Sequence, residues 1–134
     1  MLSSVKVKDY MAASLITFSP DTDVLQAIHL LIENGISGAP VLNKRGDIVG
    51  LLSEKDCLKV ALDAGYHERW GGKVSEFMTE KVVTVDADAS VVQVARMFME
   101  APYKRYPVVS DNRLVGQISR RDVLKAIEAI NANG

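Results

Sequence analysis

GLLSEKD at residues 50–56 returns in almost the same form as GQISRRD at residues 116–122. GLLSEKD is called the first motif and GQISRRD the second motif. In each, the serine lies three residues after the glycine and three residues before the aspartate. Ser-x-x-Asp is close to a capping box, in which a serine and an acidic residue cap the start of a helix. Two matching helix starts in one chain indicate that a larger segment has been duplicated.

An alignment of the two halves shows that the duplication covers most of the chain. With a shift of 67 residues, the matched pairs include Val7 with Val74, Met11 with Met78, Thr17 with Thr84 and Pro40 with Pro107. After a one-residue deletion in a turn, the shift becomes 66 and the two motifs align. We therefore predict two repeats, at about 5–62 and about 74–130, joined by a linker at about 63–73.

The first half of each repeat predicts a strand and then a helix. The runs LITF at 15–18 and VVTV at 82–85 have the β-branched content of strands. A helix cap follows at Asp23 or Ser90. Apolar residues then recur at i, i+3, i+4, i+7 and i+8, which is typical of one buried helix face. They are Val24, Ala27, Ile28, Leu31 and Ile32 in the first repeat, and Val91, Val94, Ala95, Phe98 and Met99 in the second.

A hairpin and a second helix complete each repeat. The predicted turns at 43–47 and 110–113 are rich in Asn, Gly and Asp, which supply the backbone freedom that turns need. The apolar residues of the helices that begin at the motifs are Leu58, Ala61 and Leu62, and Val123, Leu124 and Ile127. We predict an α+β fold of two tandem β-α-β-β-α repeats related by pseudo-two-fold symmetry, each a small sheet packed on two helices.

Composition and charge predict a globular protein without a general attraction to polyanions. The chain of 134 residues is 48% hydrophobic and 25% charged, with a formal net charge of −1. The single cysteine, Cys57, excludes an internal disulfide and favours a reducing compartment. The N-terminus lacks the apolar run of a signal peptide, and no stretch approaches the length of a membrane span. We expect a soluble, cytoplasmic protein.

No pattern in the sequence predicts catalysis or metal binding. Cys57, His29 and His67 do not have the spacing of metal ligands. There is no Gly-x-Ser-x-Gly nucleophile and no P-loop. We therefore expect neither catalytic nor metal-binding residues, and no required cofactor.

The ordered set of motifs resembles the cystathionine-β-synthase (CBS) domain repeat, and two in tandem resemble a CBS pair or Bateman module. The resemblance rests on VKDYM and VSEFM, the threonines of LITF and VVTV, the Pro-Val of GAPVL and YPVVS, and the two motifs. It spans roughly residues 5–130 and implies a single, stand-alone CBS-pair module over 1–134. It also implies a non-catalytic regulatory role, association as a homodimer of pairs, and an unidentified regulated protein.

The resemblance further implies that adenine-containing ligands bind in clefts between the copies. AMP, ADP and ATP are the expected ligands, with S-adenosylmethionine or NAD(H) as others. The chemistry of the motifs suits such ligands, because an ionised aspartate can accept hydrogen bonds from both ribose hydroxyls. The N-terminus of the helix after each serine also favours a phosphate.

The candidate ligand-binding residues form two sets, one for each motif. The resemblance implies that Thr17 and Thr84 lie on the wall opposite the aspartate of the other copy, and that the backbone at 38–39 and 105–106 lines the adenine. The site of repeat two comprises Thr17, Lys104, Arg105, Tyr106, Ser119, Arg120 and Asp122. The site of repeat one comprises Thr84, Gly38, Ala39, Ser53 and Asp56.

The two sets differ in charge. The second repeat has Lys104-Arg105 and Arg120-Arg121 where the first has Ser37-Gly38 and Glu54-Lys55. Because guanidinium groups suit phosphates, the site at Asp122 is expected to take a nucleotide with phosphates. The site at Asp56 is expected to take an uncharged adenosine, a cationic one such as S-adenosylmethionine, or nothing. Tyr103 and Tyr106 are candidates to stack on the adenine.

Other interpretations remain open at this point. Both motifs could be helix caps and nothing more, in a ligand-free module that serves dimerisation or another interaction. The basic cluster of the second repeat is the only support for nucleic-acid binding. An enzyme acting on nucleotides has no support from an acid–base or metal constellation.

Overall fold

The computed structural model describes residues 2–13 and 15–133, without the side chains of Ser3, His67 and Asn133. The chain forms two compact units. The continuous unit is Ile16–Val82, and the split unit combines Met1–Leu15 with Val83–Gly134. The residues that lead into each repeat, Met1–Leu15 for the first and 74–82 for the second, are called its leading segment. Each leading segment belongs to the unit that contains the other repeat's motif.

The continuous unit contains two helices and a two-stranded antiparallel sheet. Helix α1 is Val24–Asn34, strands β1 and β2 are Gly38–Leu42 and Ile48–Ser53, and helix α2 is Glu54–His67. A 3-10 turn at Val74–Glu76 follows in the leading segment of the second repeat. Helix α1 is capped by Asp23, whose carboxylate accepts a hydrogen bond from the amide of Leu25 at 2.8 Å.

The split unit repeats this architecture with one strand more. Strand β3 is Val85–Asp86, helix α3 is Val91–Glu100, strands β4 and β5 are Arg105–Ser110 and Arg113–Ser119, and helix α4 is Arg120–Asn133. Strand β3 pairs in parallel with β4, and β4 pairs antiparallel with β5. Two 3-10 turns, Leu2–Ser4 and Val7–Asp9, precede these elements in the unit.

The predicted α+β fold is confirmed, because each unit combines a small sheet with two helices. The first strand of each repeat is shorter than predicted, since LITF makes only a parallel bridge between Phe18 and Val41, and only Val85 of VVTV lies in β3. Each unit has its own hydrophobic core. Buried residues of the continuous unit include Val24, Ala27, Leu31, Leu52 and Phe77, and those of the split unit include Val91, Val94, Phe98, Tyr106 and Ile118.

The buried faces of the helices are narrower than the sequence predicts. Val24, Ala27 and Leu31 are buried, whereas Ile32 is 75% exposed. Its counterpart Met99 is 88% exposed, so the prediction that these two residues are buried is wrong. Each follows the buried stripe by one residue, about 100° around the helix, and so lies beside the face that packs on the sheet.

The helices that begin at the motifs also have apolar residues on their surface. Val60, Val123 and Ala126 are buried in the two cores. Leu58, Leu62, Leu124 and Ile127 are exposed. Within the described residues, none of the helices combines the length and the hydropathy that a membrane crossing requires.

Candidate functional site

The two motifs adopt the same local structure. Each serine ends a strand, and each aspartate is the third residue of the following helix. Ser53 Oγ accepts a hydrogen bond from the Asp56 amide at 3.1 Å, and Asp56 Oδ2 accepts one from the Ser53 amide at 3.0 Å. In the second motif, the corresponding distances between Ser119 and Asp122 are 3.2 and 2.9 Å. Both motifs are therefore capping boxes, as their spacing predicts.

The glycines of the motifs make room for the chain's own leading segments. A Cβ atom at Gly50 would lie 2.5 Å from Met78 Sδ and 3.1 Å from the Thr79 carbonyl oxygen. A Cβ atom at Gly116 would lie 2.6 Å from the carbonyl oxygen of Ala12. A glycine permits another group to approach the backbone closely, and at both motifs the approaching group is protein. The glycines therefore give no separate argument for a ligand.

The two leading segments form backbone bridges with equivalent residues of strands β2 and β5. Leu51 and Thr79 exchange two backbone hydrogen bonds of 2.9 Å. Gln117 and Ala12 exchange two of 2.8 and 2.9 Å. Thr79 is therefore the structural counterpart of Ala12, and each lies across a bridge from the strand that leads to its motif.

The carboxylate of Asp56 is surrounded by hydrogen-bond donors. Asp56 is only 6% exposed. Besides the Ser53 amide, the Ser53 hydroxyl donates to Oδ2 at 3.0 Å and Lys59 Nζ donates to Oδ1 at 3.1 Å. The Thr79 hydroxyl lies 3.0 Å from Oδ1 and 3.3 Å from Oδ2. Four donors thus meet a carboxylate that has about four lone-pair sites.

These contacts act on the ionisation of Asp56 in opposite directions. Burial raises the pKa of the carboxyl, because it disfavours the charged form. Hydrogen bonds from Ser53, Lys59 and Thr79 lower it by more, so that the pKa lies below its ordinary value of 3.8. Asp56 is therefore held as an ionised, fully partnered group.

The carboxylate of Asp122 has fewer partners. The Ser119 amide and hydroxyl both donate to Oδ2, at 2.9 and 3.0 Å. Among the residues that the structure describes, no other group donates to Asp122, and none donates to Oδ1. The second motif consequently presents a half-buried carboxylate with one oxygen available to accept hydrogen bonds.

Thr79 accounts for part of this difference, because Ala12 has no hydroxyl to donate. Lys59 accounts for the rest, since its ammonium also donates to the carbonyl of Phe77 at 3.2 Å. The aligned lysine, Lys125, makes no such contact with Asp122 within the described part of the chain. Sequence reasoning missed Thr79 and Lys59. The alignment with a shift of 67 residues contains one signal that could have identified Thr79, since it pairs this threonine with an alanine in an otherwise similar segment.

Basic residues lie beside the second motif. Arg105 is directly opposite Ser119 in the sheet, so the two side chains lie on the same face. Arg105 Nε is buried and has no hydrogen-bond partner among the described residues. The Lys104 carbonyl accepts a hydrogen bond from the amide of Arg120 at 3.4 Å, and both residues are exposed. The structure thus brings together Lys104, Arg105 and Arg120, which the sequence assigns to one site.

The equivalent position in the first motif has no side chain. Gly38 is opposite Ser53, and a Cβ atom there would lie 3.0 Å from the Leu52 carbonyl oxygen. Its neighbour Ala39 is 1% exposed and belongs to the core. Any contact of a ligand with 38–39 would therefore involve mainly backbone, which is the kind of contact that the family resemblance implies.

Tyr106 is a core residue of the split unit. Its side chain is 2% exposed, and its hydroxyl donates to the Met97 carbonyl at 3.2 Å. Its ring packs against Phe98 and Tyr103, with centroid distances of 4.8 and 5.6 Å. The suggestion that the Tyr106 ring stacks on adenine is therefore not supported, and only its backbone remains a candidate contact. Tyr103 is 46% exposed.

The two threonines assigned to the sites lie in different units from their aspartates. Thr17 belongs to the continuous unit and Asp122 to the split unit, while Thr84 and Asp56 have the reverse arrangement. The roles of Thr17 and Thr84 remain predictions. In 2–13 and 15–133, no three His, Cys, Asp or Glu side chains are grouped so as to hold a metal ion.

Comparison with known proteins identifies the repeats. The CBS domain family matches residues 7–63 and 74–129. Among curated relatives, the uncharacterized protein MJ1225 of Methanocaldococcus jannaschii is 27% identical over 121 residues. The alignment covers 90% of this chain, and the chain spans only 42% of that relative.

Solved structures of CBS pairs resemble the chain over nearly its whole length. CBSX2 of Arabidopsis thaliana, in its complex with AMP, is 29% identical, with a TM-score of 0.83 and coverage of 95% of this chain and 98% of that one. The CBS pair of protein MJ0100, in complex with 5′-methylthioadenosine and S-adenosyl-L-methionine, is 25% identical, with a TM-score of 0.75 and coverage of 94% and 98%. The chain therefore belongs to the CBS domain family and contains two CBS domains in tandem.

Proposed function

We propose that the chain is a non-catalytic regulatory module that binds an adenine nucleotide at the second motif. AMP, ADP and ATP are the favoured ligands, and occupancy is signalled through a change of conformation or association. The observation that carries this proposal is the carboxylate of Asp122, whose Oδ1 accepts no hydrogen bond from any described residue. A capping box needs only one carboxylate oxygen, so the other is available to a ligand.

The ribose of a nucleotide matches this carboxylate chemically. Its two adjacent hydroxyls can both donate, and an ionised carboxylate accepts two donors side by side. Hydrogen bonds to a charged group contribute roughly 1.5–3 kcal/mol each. Asp122 can therefore contribute a tenfold or larger factor to affinity, since about 1.4 kcal/mol corresponds to tenfold.

The charges around the second motif favour phosphates on that ligand. Arg105 Nε is a buried donor without an acceptor among the described residues, and a buried donor normally has one. The exposed side chains of Lys104 and Arg120 add positive charge near the same helix N-terminus. CBSX2 is known in complex with AMP, which carries a phosphate and so agrees with this chemistry. The ligands of MJ0100, 5′-methylthioadenosine and S-adenosyl-L-methionine, share the adenine and ribose with AMP but carry no phosphate.

A thermal-shift panel tests the proposal. AMP, ADP, ATP, NAD(H) and S-adenosylmethionine are added separately to the wild type, to Asp122→Asn and to Asp111→Asn, an exposed turn residue of the same unit as control. A ligand present at about 100 times its Kd adds roughly 2.7 kcal/mol to the free energy of unfolding. We expect phosphorylated ligands to raise the Tm of the wild type and of the control variant, and to raise that of Asp122→Asn far less.

Two results would contradict this proposal. If no adenine compound changes the Tm of the wild type, the protein is not an adenosine sensor. If Asp122→Asn responds as strongly as Asp111→Asn, the second motif is not the binding site.

A role in association is the second candidate, and exposed apolar residues favour it. On the continuous unit Ile32, Leu58 and Leu62 are 75, 66 and 60% exposed, and on the split unit Met99 and Leu124 are 88 and 63% exposed. Apolar surface on paired helices is typical of a protein interface. We propose that these surfaces join two copies of the pair into a homodimer, with or without a ligand.

Sedimentation velocity separates the two roles. We expect the wild type to sediment as a dimer and the double variant Leu58→Glu/Leu124→Glu to dissociate, because each glutamate would carry a charge into the apolar contact. The double variant Lys55→Glu/Arg121→Glu, at neighbouring exposed positions, is the control. A wild type that remains monomeric at high protein concentration would contradict the association proposal without affecting the nucleotide proposal.

A further inference from the structure

On the basis of the proposed function, we propose further that Thr79 and Lys59 close the first motif to the ligand, so that the chain takes one adenosine ligand and Asp56 serves as a structural anchor. The first motif has the same Ser-x-x-Asp spacing as the second. Its aspartate is nevertheless occupied by groups from its own compact unit.

The hydrogen bonds of Asp56 leave no acceptor for a ribose. Ser53 supplies two donors to Oδ2, Lys59 donates to Oδ1, and the Thr79 hydroxyl lies within 3.3 Å of both oxygens. A ligand would have to displace Lys59 and Thr79 before its hydroxyls could bond to the carboxylate. The displaced bonds include a charge-assisted one, which is among the stronger hydrogen bonds of proteins.

The same contacts hold the leading segment of the second repeat on the continuous unit. The segment reaches the motif through the backbone pair Leu51–Thr79, and Lys59 joins it by donating to the carbonyl of Phe77 at 3.2 Å. Asp56 lies at the centre, since it accepts hydrogen bonds from both Lys59 and Thr79. The carboxylate therefore connects the motif helix to a segment 23 residues further along the chain.

The second motif provides an internal control. Ala12 occupies the position of Thr79 and makes the same two backbone hydrogen bonds with its strand. It cannot donate a side-chain hydrogen bond, and Asp122 keeps an oxygen without a donor from the described residues. The two motifs thus differ at the leading segment while their helix starts are alike.

Isothermal titration calorimetry with AMP measures the number of sites. The wild type should bind one AMP per chain, and Asp56→Asn should bind one with an affinity changed by less than about threefold. Asp122→Asn should lose at least roughly tenfold in affinity. Two sites in the wild type, of which Asp56→Asn removes one, would overturn the inference and leave the proposed function intact. A single site that Asp56→Asn removes would overturn it as well.

A second measurement needs no ligand and separates this inference from the proposed function. Unfolding by urea is followed for the wild type, Asp56→Asn, Thr79→Val and the double variant. We expect the two substitutions to be non-additive, with a coupling of roughly tenfold in the unfolding equilibrium constant, because they remove the same contact. The pair Asp122→Asn and Ala12→Val, at the equivalent positions, should be additive.

The urea unfolding of the single and double variants can contradict the inference independently of the titration. If Asp56→Asn and Thr79→Val are additive, Thr79 does not hold the carboxylate, and the inference fails whatever AMP does. If AMP and the other adenine compounds do not bind while the coupling is present, the proposed function fails, and with it the count of one ligand per chain. The anchoring role of Asp56 is then retained.

Discussion

The first and second motifs share a local structure and differ in what surrounds their carboxylates. In both, the serine and the aspartate cap a helix with distances that agree within 0.1 Å: 3.1 and 3.0 Å for Ser53 and Asp56, and 3.2 and 2.9 Å for Ser119 and Asp122. The Asp56 carboxylate also accepts hydrogen bonds from Lys59 and Thr79, while that of Asp122 accepts none beyond those from Ser119 among the described residues. The motif alone therefore does not decide whether its aspartate is free to bind.

The largest expected effect concerns the glycines, where the two motifs meet their leading segments. Gly116→Ala places a Cβ atom 2.6 Å from the backbone oxygen of Ala12, which cannot move without disturbing its bridge to Gln117. Gly50→Ala meets mainly the flexible side chain of Met78. We expect losses of about 3 kcal/mol in the free energy of unfolding for Gly116→Ala and about 1 kcal/mol for Gly50→Ala, measured by urea denaturation. Equal losses would show that the leading segments adapt equally well in both units.

The next effect concerns the aspartates themselves. Asp56→Asn replaces one oxygen of a buried carboxylate with an amide NH2, which cannot accept the hydrogen bonds that this oxygen received, and should cost about 2 kcal/mol of unfolding free energy. Asp122→Asn disturbs a capping box and should cost about 0.5–1 kcal/mol. Urea denaturation without ligand measures both. A cost for Asp122→Asn as large as that for Asp56→Asn would contradict the difference in their surroundings.

The pH dependence of stability sharpens the same contrast. Because the pKa of Asp56 is lower in the folded protein than its ordinary value of 3.8, its contribution is fully present above that value. The contribution is lost as the pH falls through the folded pKa. The Tm difference between wild type and Asp56→Asn should therefore shrink as the pH is lowered below about 4. A difference that stays constant down to pH 2.5 would mean that the ionised carboxylate is not what stabilises this site.

The smallest expected effect tests whether the second motif can be made like the first. Ala12→Thr supplies a hydroxyl at the position where Thr79 contacts Asp56. A neutral hydrogen bond contributes roughly 0.5–1.5 kcal/mol, so AMP affinity should fall about three- to fivefold as the new hydroxyl competes with the ribose. Ala12→Val, which adds bulk without a donor, is the control. An equal loss in both variants would indicate a steric effect and not competition for the carboxylate.

Local sequence predicted the repeated features of the fold well. The caps at Asp23 and Ser90 form as expected, and so do the hairpins and the helix starts at the motifs. Those features depend on side chains within a few residues of each other. The prediction was less accurate for LITF, which makes one bridge, and for Ile32, which is exposed, because both depend on how the elements pack.

The candidate site was predicted in part for the same reason. The sequence grouped Lys104, Arg105 and Arg120, and the structure brings them to one end of β4 and α4. The sequence also made the Tyr106 ring a candidate to stack on a ligand, whereas that ring is 2% exposed in the core. Exposure depends on the packing of several elements and cannot be read from residue type.

The sequence by itself determined the duplication, the capping boxes and the charge difference between the two motifs, because each is a matter of residue type and spacing. Only the tertiary structure decided which aspartate is already occupied. Thr79 is 23 residues from Asp56 in the chain, and its hydroxyl reaches the carboxylate because a backbone bridge to Leu51 holds the leading segment beside the motif. A contact over that separation depends on chain folding, so the difference in availability between Asp56 and Asp122 follows from the fold.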